Sequence, residues 1–209
     1  MMRWHKPSPT NMLKNHLALQ PDQVAGPLVI AGLAITAQFF GLAGLTFDRV
    51  AIQSEEYWRL LSGHLVHTND SHLAMSLAGV LALWLLQGDD YNARDYLTAA
   101  MTSAVGVSAC LYYLDSSVNW YAGLSGLLHG LFAWGVTADL RARRHIGPIL
   151  VAGLLAKLLL EQTFGAAPAS ESLLGYPVVI DANLYGAAFG SLTGAIMLYV
   201  RREMPPKQA

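Results

Sequence analysis

Ser125 stands in Gly123-Leu124-Ser125-Gly126, at the mouth of an apolar stretch, with His129 one helical turn later. A serine among glycines is a place where a backbone can come close to a nucleophile. It is also how small residues let membrane helices touch, and the local pattern alone leaves both readings open. A serine hydroxyl needs a base to take its proton as it attacks a carbonyl. His129 shares the serine's helix face, but an i,i+4 pair on one helix aligns poorly for proton transfer and is more simply an interior group. His64, His67 and His72 cluster elsewhere without an acidic partner at ligand spacing, so neither a metal nor a cofactor is expected. Lys157 and Glu161 have i,i+4 spacing; they read as a mutual pair, or as a carboxylate reaching the outer interface, before they read as a transporter's relay. Asp181 lies where a helix dipole alone would favour a carboxylate.

These residues must be positioned by apolar segments. Of the 209 residues 54% are hydrophobic and only 13% charged, and the mean hydropathy is +0.36. A soluble domain carries about 25% charged residues, so the shortfall points to a membrane protein. A net charge of −1 argues against a nucleic-acid partner. The lone Cys110, inside an apolar run, reads as a small buried hydrophobe. Six runs qualify or nearly qualify as bilayer spans, at residues 27–46, 71–87, 94–114, 123–138, 146–164 and 178–200. The second and fourth are short, which suits helices whose outer ends open into a hydrated cavity.

Charge sets the expected orientation. Arg141, Arg143 and Arg144 separate the fourth and fifth runs, Arg94 joins the second and third, and Arg201, Arg202 and Lys207 follow the last. The positive-inside rule then predicts six crossings with both termini cytoplasmic. The expected organisation is a cytoplasmic segment over 1–26, a membrane domain over 27–200 and a cytoplasmic tail over 201–209. Arg49 and Arg59 in the first outer loop run against the pattern. Tyr57-Trp58-Arg59 reads as an interfacial segment with its arginine snorkelling outward.

In that topology the even-numbered helices start together at the outer face. His72, Ser125 and Asn183, the last about one and a half turns into the sixth helix, then share one depth. Gly186, Gly190 and Gly194 form a small-residue stripe, with Asn183 about 20° from Gly190 around the axis. Gly126 and Gly130 form the matching stripe beside Ser125, so the fourth and sixth helices are expected to pack closely.

With Gly123-Leu124-Ser125-Gly126 on one helix and Ala182-Asn183-Leu184-Tyr185-Gly186 on the last, the chain resembles the rhomboid family of intramembrane serine proteases over about residues 55 to 200. Trp58-Arg59 fits as well. His64-Leu65-Val66-His67 and Leu127-Leu128-His129-Gly130 make the closest likeness the rhombosortase subgroup. The resemblance implies an all-α, polytopic six-helix bundle with Ser125 as nucleophile and His72 as an oxyanion residue beside Gly123. Two positions depart from the family pattern. Ser76 stands where an asparagine would help to hold the oxyanion, and Asn183 where the histidine base is expected. A hydroxyl can still donate; a carboxamide has no basic site of use near neutrality, though it can hydrogen-bond Ser125.

The expected function is endopeptidase action on a membrane-anchored protein near its transmembrane segment, C-terminal glycine-rich sorting tails included. The alternative is a catalytically impaired relative that binds transmembrane helices without cutting them. The protein is expected in a bacterial inner membrane, with its site open to the outer side and with the bilayer and a protein substrate as partners; the oligomeric state is left open.

Overall fold

The computed structural model describes residues 20–203. Its frame is six long helices: α1 (Pro21–Phe40), α4 (Asp70–Gln87), α5 (Ala93–Tyr113), α6 (Ser125–Arg141), α7 (Ile146–Phe164) and α9 (Ile180–Glu203). The loop after α1 carries a two-residue strand β1 (Phe47–Asp48) and short helices α2 (Arg49–Gln53) and α3 (Arg59–Ser62). Strand β2 (Trp120–Tyr121) precedes α6, and α8 (Pro168–Leu174) lies between α7 and α9. The strands pair antiparallel, Phe47 with Tyr121 and Asp48 with Trp120, which ties the first loop to the entrance of α6.

Local chemistry sets the ends. Pro21 sits at the first turn of α1, where its missing N–H is not needed, and Gly41 at φ +78° stops the helix. The first helix is therefore displaced from the expected 27–46. Asn69 caps α4 by accepting from His72 N at 2.8 Å, and Asn92 caps α5 through Asp95 N. Gly123 at φ +120° cannot be helical, so α6 begins at Ser125 and not at 123. Helix α9 begins at Ile180, which puts Asn183 within its first turn and corrects the deeper placement expected.

Helix α6 is the central one, with buried residues on all sides, and its fullest contact is with α9. A Cβ added at Gly186 or Gly190 would strike the carbonyls of Gly126 and Gly130, so the two backbones touch and each of these positions requires glycine. Gly106 on α5 accommodates Phe189 in the same way. The interior holds Ser103, Ser108, Gln87, Asp139 and Thr193, whereas Leu81, Leu85, Met101, Leu155, Leu159, Leu192 and Ile196 face outward. That inversion of the usual polar-out arrangement is what a hydrocarbon solvent selects. By length and composition alone, α1 and α7 could cross a membrane. Helix α6 has only 17 residues, and α4 opens on Asp70, Ser71 and His72.

The two arginines of the first loop do structural work. Arg49 donates to the carbonyls of Leu111, Tyr112, Asp115 and Val118, closing the C-terminal end of α5. Arg59 is 7% exposed and points inward, bonding the Thr46 and Ala43 carbonyls and Glu56 at 2.6 Å. The expected snorkelling arginine is thus a buried loop staple, held by fixed carbonyls that a headgroup layer would not supply. Among the other features read from sequence, Cys110 is only half-buried. Of the basic residues that follow the last run, Lys207 lies outside the described residues, as do the side chains of Arg201 and Arg202.

Candidate active site

The N-terminal end of α6 opens into a cavity of about 220 Å³ lined by Ser125, His72, Ser76, His129, Lys157, Glu161 and Asn183, and roofed by the segment after α7. Four helices contribute side chains. The N-cap of α6, Leu124, supplies no side-chain acceptor, and of the first-turn N–H groups Gly126 N is taken by the Tyr121 hydroxyl, so the positive end of the helix dipole lies at the cavity with Ser125 as its first residue. Such an end stabilises negative charge wherever it develops.

The approach to Ser125 is fixed by backbone contacts. Gly123 N donates to Gly63 O at 2.9 Å, and the Tyr121 hydroxyl donates to Gly123 O at 2.6 Å. The same hydroxyl accepts from Gly126 N at 3.4 Å. A Cβ on Gly123 would sit 2.6 Å from His72 Nε2. The glycine therefore serves twice, by adopting φ +120° and by admitting the imidazole edge to within two residues of Ser125.

His72 is buried, and Thr68 brackets its Nδ1 with a backbone N–H at 3.4 Å and a hydroxyl at 3.1 Å. In the tautomer that accepts the Thr68 backbone N–H at Nδ1, Nε2 carries the ring proton and presents a donor towards Gly123. The Thr68 hydroxyl is also 2.6 Å from Leu174 O, which links His72 to the roof. Ser76, buried one turn further along α4, lines the same cavity.

His129 donates from Nδ1 to the carbonyl oxygen of Ser125 at 2.7 Å. A carbonyl only accepts, so Nδ1 carries the proton and is committed to the backbone, with no bond to the serine hydroxyl. Asn183, 2% exposed, bonds to α7: its Nδ2 donates to Glu161 Oε2 at 3.1 Å. The hydrogen bond to Ser125 open to it from sequence is not made. Because a carboxylate only accepts, the amide cannot flip, and Asn183 Oδ1 is left buried without a partner among the described residues. An orphaned acceptor costs about 1–3 kcal/mol, so the position suits asparagine only in part.

Glu161 is the residue that sequence reading missed. Its other oxygen, Oε1, takes Lys157 Nζ at 2.6 Å, so the two do pair with each other. The pair lines the cavity on the side of Asn183, where the i,i+4 spacing alone could not place it. Asp181 accepts from Gln162 Nε2 at 3.0 Å and serves as a tie between α7 and α9.

A second, apolar groove of about 570 Å³ runs between α4 and α7, lined by Gly79, Leu83, Phe132, Ile149 and Leu154. It shares Leu128, His129 and Lys157 with the Ser125 cavity. The roof over that cavity is latched from below. Asn69 Nδ2 donates to the carbonyls of Leu173 and Leu174, and Trp120 stacks on Tyr176 with ring centroids 5.1 Å apart.

Residues 54–200 match the family model described as the Rhomboid domain. No curated protein matches the chain.

Proposed function

The chain belongs to the rhomboid family of intramembrane serine proteases, and is therefore an integral membrane protein; we propose that Ser125 is the nucleophile of an endopeptidase site that acts on membrane-anchored proteins near a transmembrane segment. The observation that carries this reading is the position of Ser125. It is the first residue of α6, at a helix N-terminus inside a cavity, with His72 packed on the backbone two residues before it. In the proposed reaction the Ser125 oxygen bonds to the scissile carbonyl carbon while its proton passes to water in the cavity, which returns a proton to the departing amine, and the carbonyl electron pair moves to oxygen. The oxyanion that forms lies near the α6 N–H groups and His72, with the Ser76 hydroxyl as a further donor. Collapse of the tetrahedral intermediate expels the amine and leaves an acyl-serine, which water then hydrolyses. The apolar groove between α4 and α7 supports a substrate that arrives as a helix through the bilayer, because it joins the cavity at Leu128.

We read the six long helices as six crossings within a membrane domain over 27–200. Outward-facing apolar side chains on α1, α4, α5, α7 and α9 support this. Both termini are then cytoplasmic, and the cavity faces the outer side of what we take to be a bacterial inner membrane. Glycine-rich sorting tails are the proposed substrates most in keeping with the rhombosortase likeness.

Asn183 favours a second reading, in which the chain as it stands holds transmembrane helices and cuts them slowly if at all. Its amide is bonded to Glu161 and offers Ser125 no base. Loss of one member of a catalytic unit typically costs several powers of ten in rate. The test is labelling by a fluorophosphonate, with cleavage of a transmembrane reporter, in the chain as it stands, in Asn183→His and in Asn183→His with Ser125→Ala. Ser125-dependent gain in Asn183→His supports the endopeptidase site. Retention of reporter binding without gain supports the second reading.

A further inference from the structure

We infer that Glu161, held by Lys157, is the positioning carboxylate for the side chain at position 183, so that the cavity is laid out for serine, imidazole and carboxylate rather than for serine and imidazole alone. The inference rests on Ser125 as nucleophile, as argued above. Three observations carry it. Glu161 Oε2 is 3.1 Å from Asn183 Nδ2, and that is the one side-chain hydrogen bond of Asn183 among the described residues. The remaining atom of the amide, Oδ1, is buried and unpartnered, so the position is fitted to a group that donates once towards α7 and needs no donor in return. A neutral imidazole has that character: one N–H, and one lone pair on the opposite edge. Finally, Lys157 Nζ at 2.6 Å occupies Oε1, which leaves Oε2 as the oxygen turned to position 183.

With an imidazole there, the Ser125 proton passes to the ring nitrogen facing the serine while the Oγ–C bond forms and the carbonyl electron pair moves to oxygen. The other ring nitrogen keeps its proton on Glu161, whose charge stabilises the imidazolium. The departing amine then takes the proton from the ring, and Glu161 itself exchanges none. In the chain as it stands Glu161 performs the orienting half of this task on an asparagine.

The experiment compares Asn183→His with Asn183→His/Glu161→Gln in the full chain in detergent micelles, reading fluorophosphonate labelling rate against pH. The ring titration is followed separately by 15N shifts in the same pair carrying Ser125→Ala. The other titratable groups lining the cavity, His72 from α4, His129 from α6, Lys157 on α7, Tyr121 and Tyr176, and Asp181 two residues before Asn183 on α9, are the same in every variant. Glu161→Gln is expected to lower labelling roughly 10²-fold or more. It also moves the alkaline rise of the rate, and the midpoint of the ring titration, to lower pH, because an adjacent carboxylate favours the charged ring. A glutamine that merely ties α7 to α9 would leave both midpoints in place. Equal midpoints overturn the assignment whatever the labelling shows. If Asn183→His gains no Ser125-dependent labelling, the endopeptidase reading fails, and a midpoint that still moves upholds Glu161 as the partner of position 183.

Discussion

The imidazole of His72 meets with its Nε2–Cε1 edge the position where a side chain on Gly123 would begin: a Cβ there would be 2.6 Å from Nε2. Gly123 is also at φ +120°, where an L side chain is strained irrespective of space. Gly123→Ala is therefore expected to displace the His72 ring and to remove one oxyanion donor. In an Asn183→His background it should lower fluorophosphonate labelling by roughly 10²–10³-fold. Labelling unchanged by Gly123→Ala would remove His72 from the proposed site.

The contact of α6 with α9 has no room for a methyl group. Gly186→Ala would drive a Cβ into the Gly126 carbonyl, forcing the helices apart at a cost of about 1–3 kcal/mol or more. At Gly32 on α1 nothing lies within 4 Å of an added Cβ, and Gly32→Ala should stabilise by up to about 1 kcal/mol through helix propensity. Thermal unfolding of the two variants in detergent checks the pair, and the expected shifts have opposite sign.

His64 and His67 in the first loop are buried, and loss of hydration lowers each to about 4. The unfolded chain protonates these rings near pH 6.5, whereas the folded chain resists until about 4. Their contribution is intact above pH 6.5 and lost as pH falls towards 4, by roughly 3 kcal/mol for each ring. Both nitrogens of His67 lack partners among the described residues, so His67→Leu should be neutral or stabilising at pH 7 and should flatten the acid limb. A pH series of unfolding midpoints measures this, and a steeper acid limb in His67→Leu would contradict it.

The roof is held by few bonds. Tyr176→Ala removes the stack on Trp120, and Thr68→Val removes the hydroxyl from Leu174 O. Together they should speed amide exchange over residues 166–179 while leaving α6 and α9 as protected as before, a pattern of local opening. Exchange rising equally in α6 would mean that the roof supports the bundle and does not merely cover the cavity.

Much of this was readable before the fold was known, for particular reasons. Glycines at four-residue intervals can face only a close neighbour, so Gly126, Gly130, Gly186 and Gly190 pointed to one another. Ser125, His72 and Asn183 were drawn together by depth, since each sits near the start of an even-numbered long helix. Arg59 misled because a snorkelling arginine and a buried one carry the same letters; what distinguishes them is the set of loop carbonyls at Ala43 and Thr46, which only the folded first loop assembles. Glu161 was recognised as half of an ion pair but not as a site residue. Spacing along α7 says that Lys157 and Glu161 meet, and says nothing of which neighbouring helix they face.

The most direct measurement is Ser125-dependent fluorophosphonate labelling of Asn183→His against the chain as it stands, each with and without Ser125→Ala, in detergent. The account predicts labelling of Asn183→His faster than the unaltered chain by roughly 10³-fold or more, abolished by Ser125→Ala. Labelling that is absent from Asn183→His, or that survives Ser125→Ala, would contradict it.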